Sequence, residues 1–147
     1  MSLDNLVGIS LERIEPDSLT IQRLAEAAQR NIKDSQVSAV SNENRFDAAY
    51  KAIMQISNIA LQANGYRTLS SKPGHHQTMI QTLPNTIGLD RDTMIVLDAL
   101  RKQRNVADYS GDLVADNAVA ECIGHAQQLW SLLNEWLNRE RPDLTGK

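Results

Sequence analysis

Apolar residues recur every three or four positions through most of this chain, the period of a helix with one face in a core. After an opening piece closed by Pro16, Asp17 or Ser18 is placed to cap a helix carrying Ile21, Leu24, Ala25, Ala28 and Ile32. A polar run at Ser41 to Asn44 restarts the pattern. Phe46, Ala49, Tyr50, Ile53, Ile56, Ser57, Ala60 and Leu61 then form the cleanest stripe, ending at Asn64-Gly65, where Gly65 suits the left-handed residue that closes a helix. Met79, Ile80 and Leu83 predict a short helix stopped by Pro84. Asp90 can cap the next helix, whose Met94, Ile95, Val96, Leu97, Ala99 and Leu100 are apolar on most of the circumference and so expected to be buried. Gly111 to Ala115 breaks it, and Asp116 can cap a last helix holding Val119, Ala126, Leu129, Trp130, Leu133 and Leu137. Gly124 inside that helix costs about 1 kcal/mol against Ala, which a close helix contact would offset. Trp130 and Trp136 fall far apart around it, so one of them is expected to cover a partner or a terminal segment.

No stretch alternates apolar and polar residues at period two for long enough to predict a strand. The expected fold is all-α, an up-and-down bundle of four or five helices joined by short loops. At 147 residues it is expected to be a single domain, residues 1–147, with its core at about 18–138. Fifteen basic residues against 18 acidic ones, net −3, give no global field for nucleic acid or anionic lipid, so any phosphate contact must come from a local patch. The single cysteine, Cys122, excludes an internal disulfide and fits a reducing, cytoplasmic setting. No Cys/His spacing points to a metal site, no cofactor is indicated, and no window approaches the roughly 20 apolar residues of a membrane span.

The richest chemistry lies in Leu97 to Gly111, LDALRKQRNVADYSG, where a polar cluster begins as the apolar run ends. Asp98, Arg101, Asn105 and Asp108 fall on neighbouring turns of one strip, and Arg104 with Asp108 is an i, i+4 pair. Such a strip suits a cleft or a subunit contact; the plain alternative is a solvated, self-neutralised helix end. His75 and His76 lie in a Pro-Gly loop at the start of the short helix, placed to meet a phosphate or simply to form a hydrogen-bonded turn. His125, one turn from Glu121, reads as a packing or hydrogen-bonded residue, Tyr50 and Tyr66 as packing residues, and Cys122 as a small buried one. Arg23, Arg30 and Lys33 make a basic strip that Glu26 and Asp34 interrupt, a solvated face.

RFDAAYKAIMQISNIALQANGYR (Arg45 to Arg67), PGHH (Pro73 to His76) and LDALRKQRNVADYSGD (Leu97 to Asp112) together resemble the HEPN superfamily, the "higher eukaryotes and prokaryotes nucleotide-binding" domains, over about residues 18 to 138. The resemblance implies a four- or five-helix bundle, a homodimer, and a setting beside a minimal nucleotidyltransferase in a toxin and antitoxin pair. Ribonuclease members carry an Arg, often with Asn after it, then four to six residues and a His. Arg104-Asn105 matches the first half, but four intervening residues lead to Tyr109, and the chain reads Arg-Asn-x-x-Asp-Tyr, a variant that resembles small bacterial members thought to be non-cleaving.

The expected function is therefore a non-catalytic module in which Arg101, Arg104 and Asn105 contact a phosphate, an RNA or nucleotide, or a partner protein, with Asp108 orienting an Arg and Tyr109 closing the site. One alternative is a metal-independent endoribonuclease with Arg104 as phosphate clamp, Asn105 as orienting group, and His75, His76 or Tyr109 as acid. Another is a dimerisation strip without a ligand. By the same resemblance Tyr109 is a candidate target of a partner nucleotidyltransferase.

Overall fold

The computed structural model describes residues 3–71, 73–111 and 113–146, without the side chains of Asp108 and Tyr109. They form helices α1 (Ser18–Ser35), α2 (Asn42–Ala63), α3 (His75–Gln81), α4 (Leu83–Thr86), α5 (Arg91–Ser110) and α6 (Asp116–Glu140), with two three-residue strands, β1 (Leu11–Arg13) and β2 (Tyr66–Thr68). The protein is predominantly all-α, compatible with a helical bundle. No described helix is long and apolar enough to cross a membrane.

The caps set the helix boundaries. Asp17 accepts the Thr20 amide, Ser41 the Asn44 amide and Asp90 the Thr93 amide, each filling an orphan donor of a first turn. Gly65 and Gly111 take positive φ, 90° and 71°, where the chain leaves α2 and α5. Helix α2 is the axis of the molecule, packing most extensively against α1 and α6. Its Phe46, Ala49, Tyr50, Ile53, Ile56, Ile59 and Ala60 are all buried, against Ile21 and Ala28 of α1 and Val119, Cys122, Ala126, Leu129 and Leu133 of α6 in one continuous core. At the start of α2, Asn42 Nδ2 donates to the Val114 carbonyl (3.0 Å) and the Asp116 carboxylate (2.7 Å), fixing the α5–α6 connection. At its end, Arg141 donates to the Ala63 carbonyl (3.0 Å). Leu11 and Leu144, beyond residues 18–138, are buried as well.

The structure departs from the sequence pattern at several points. The strands pair antiparallel, Leu11 with Thr68 and Arg13 with Tyr66, and Glu12 and Arg67 form an ion pair across the ladder; three residues are too few to show an alternation. Tyr66 is half-exposed and its hydroxyl donates to Asp4, so it is no core residue. Pro84 does not stop a helix; it lies in the first turn of α4, where its fixed φ and missing N–H are harmless. Ala115, not Asp116, is the N-cap of α6, and the Asp116 side chain is engaged by Asn42. Helix α5 is peripheral: Leu97 and Leu100 are buried, but Ile95 is 60% exposed and Ala99 lies outward. No close contact accompanies Gly124, since a Cβ there would meet nothing within 4 Å. Trp130 and Trp136 both pack, half-buried, against the core, because six residues turn a helix by only about 120° from alignment, which lets both flank one face.

Ile56→Ala is expected to destabilise the fold by about 2–5 kcal/mol and Asp90→Ala by about 1 kcal/mol, both as read by urea unfolding. Ile95→Ala, on the exposed side of α5, should stay within about 0.5 kcal/mol of wild type under conditions where the protein is monomeric.

Candidate functional site

The open edge of α2 carries Asp47, Lys51, Gln55 and Asn58, one turn apart and beside the buried stripe. Together with Tyr50 and Met54 they form one side of a cleft of about 270 Å³; His76 and Met79 of α3 and Arg104 of α5 complete it. Two of the residues singled out in the sequence, Arg104 and His76, are therefore brought into one site.

Tyr50 joins them. Its ring is buried, and a buried phenol needs a partner for its hydroxyl; His76 Nδ1 lies 3.1 Å away. Burial pushes the Tyr50 pKa up to about 12, against the opposing pull of the Arg104 and Arg101 charges, so the phenol stays protonated at neutral pH. A protonated phenol both donates and accepts, so this bond serves either tautomer of the neutral His76 ring. The Arg104 guanidinium carbon stands 5.3 Å from the centre of the Tyr50 ring, a cation–π arrangement, and Arg104 Nε donates to Asp47 at 3.2 Å. Arg104 thus pairs across helices with Asp47; its expected partner, Asp108, has a side chain outside the described residues, as does Tyr109.

His76 is held below its ordinary pKa, first by burial, then by the neighbouring His75 and the charges of Arg104 and Arg101. His75 is exposed and meets His76 edge-on, ring centres 4.9 Å apart. Arg101 does not line the cleft: its Nε donates to Asp98 at 2.8 Å, both side chains are about 15% exposed, and Lys102 shares the same carboxylate at 3.7 Å. Asn105 is half-buried and also outside the cleft lining. Asp47, Lys51, Met54, Gln55 and Asn58 were not singled out in the sequence, and Met79 was read only as an apolar position of the short helix. The helical spacing of Asp47, Lys51, Gln55 and Asn58 was a visible signal, but nothing in a single sequence says which polar edge faces another helix.

Away from the cleft, the Cys122 thiol is pushed up to about 12 by burial and donates to the Phe46 carbonyl, as a packing residue would. His125 Nε2 is 3.9 Å from Glu121, and its Nδ1 is buried with no hydrogen-bond partner among the described residues. These described residues contain no cluster of three or more His, Cys, Asp or Glu arranged to hold a metal.

The lowered His76 pKa has a consequence for stability. Between the folded value and the ordinary 6.5 the unfolded chain binds more protons, so this contribution is complete above about pH 6.5 and is lost as the pH falls below it. Thermal unfolding followed from pH 7.5 downward should show the melting temperature dropping in that window, and His76→Gln should flatten the drop.

No family model matches the chain, and a search of curated proteins returns no match to it.

Proposed function

We propose that the protein is a HEPN-like binding module whose cleft receives the phosphate of a nucleotide or RNA without cleaving it. The observation that carries this reading is the convergence of Arg104, Lys51 and His76 on one cleft beside the buried Tyr50 hydroxyl. Guanidinium offers a phosphate paired donors, Lys51 adds a point charge, and the His76 imidazole, once protonated by a bound anion's pull, adds one more donor. Asp47 holds Arg104 in place and yields part of that hydrogen bonding to an incoming anion. The exposed Ile95 and Val106 on α5, with Leu113 just beyond it, support a homodimer through that helix. The resemblance adds a minimal nucleotidyltransferase as partner, in a cytoplasmic toxin and antitoxin pair.

One observation favours a second reading, a metal-independent endoribonuclease. His76 brings an imidazole to the cleft of Arg104, which the Arg-Asn-x-x-Asp-Tyr segment alone lacks, and an imidazole is well matched to proton transfer near neutral pH.

Wild type, Arg104→Gln and His76→Gln should be compared on a mixed RNA pool at low salt, scoring retention, cleavage and dimerisation together. Retention without cleavage, weakened by about tenfold or more in Arg104→Gln, is expected. Because a bound phosphate favours imidazolium, retention by wild type should tighten from pH 8 to pH 6, and His76→Gln should remove that trend. Cleavage that both substitutions abolish would establish the ribonuclease instead. A change in the monomer–dimer equilibrium alone, with no RNA retained by wild type, would leave only the dimerisation role.

A further inference from the structure

The cleft has two chemically different halves. Asp47, Lys51, His76 and Arg104 supply its charged and imidazole groups around Tyr50, whereas Met54, Gln55 and Asn58, further along α2, and Met79 of α3 carry no charge. With a rise of 1.5 Å per residue, Asn58 lies about 10 Å along α2 from Lys51. A polynucleotide track needs cations repeated along its length, and the uncharged half supplies none. It supplies two thioethers instead: Met54 of α2, buried, and Met79 of α3, half-buried, both line the cleft, and methionine sulfur packs favourably against aromatic rings.

The two carboxamides are each tethered at the oxygen. Gln55 Oε1 accepts from Asn31 Nδ2 at 2.8 Å, and Asn58 Oδ1 accepts from Gln62 Nε2 at 3.2 Å. The Gln55 and Asn58 amide nitrogens have no acceptor among the described residues, and the two side chains, one turn apart, line the same cleft. Two neighbouring donors beside two lining thioethers match a planar ring with two adjacent acceptors on one edge. Guanine presents that edge through N7 and O6; adenine places an amino donor at the second position. The whole cleft, about 270 Å³, lies just below the usual range for ligand sites and so suits a single nucleotide rather than a longer chain.

We propose that the uncharged half of the cleft is a base-binding subsite that seats the guanine of a single nucleotide between Met54 and Met79, its acceptor edge read by Gln55 and Asn58. The assignment rests on the phosphate-binding reading of the charged half, and the test separates the two. Calorimetric titration of the full chain with GMP, AMP, guanosine and ribose 5-phosphate should show GMP about tenfold tighter than AMP and tighter still than ribose 5-phosphate. Gln55→Leu and Asn58→Leu should erase the preference for GMP over AMP and leave ribose 5-phosphate binding unchanged, whereas Met79→Ala should weaken GMP and AMP alike. The subsite is overturned if GMP and ribose 5-phosphate bind equally, or if AMP equals or surpasses GMP. Guanosine binding as tightly as GMP would overturn the phosphate reading and retain the subsite. No binding by any of the four would overturn both, and a guanine-containing RNA pentamer binding a hundredfold tighter than GMP would overturn the single-nucleotide size.

Discussion

Helix α2 surrenders most of its circumference to its neighbours, and the rest of the molecule is arranged around that burial. Ile53, Ile56 and Ile59 are fully excluded from solvent, each contributing about 1.5–3 kcal/mol relative to exposure. Because α1 and α6 take so much of its surface, the remaining polar edge of α2 is left to face α3 and the outer part of α5. The cleft is the gap that those shorter or peripheral elements do not close. Its chemistry begins in the core: burying Tyr50 creates a phenol that needs a partner, and the partner is His76.

Much of this was legible along the chain. The helix period marks α1, α2 and α6, with the buried set of α2 close to the stripe from Phe46 to Leu61. The caps at Asp17 and Asp90 and the glycines at 65 and 111 follow from local backbone chemistry that needs no tertiary information. Arg104 was readable as a candidate because a polar cluster begins where an apolar run ends, and His76 because it follows a Pro-Gly loop at the start of a helix.

What was hidden is what depends on neighbours distant in sequence. Arg104 reaches across 57 positions to Asp47, a contact that a local i, i+4 rule has no means of finding. The circumference of α5 is apolar enough to read as buried, yet burial is decided by how many elements surround a helix, and α5 sits at the edge. The ladder between β1 and β2 joins segments whose own composition carries no strand signal; the pairing comes from the chain's path past the end of α2.

That ladder sets an order of assembly. Its strands lie about 55 residues apart, and closing so long a loop has an entropic cost that no local contact offsets in advance, while α1 and α2 are joined by a short connection and find each other early. The ladder therefore completes late and opens before the core does, exchanging the amides of Ile14 and Leu69 ahead of those in α2. Since β2 leads into the connection before α3, the segment that delivers His76 is fastened at one end by a ladder of only three residue pairs. What ties His76 back to the persistent part of the fold is the Tyr50 hydroxyl and the burial of Ile80 one turn further along α3.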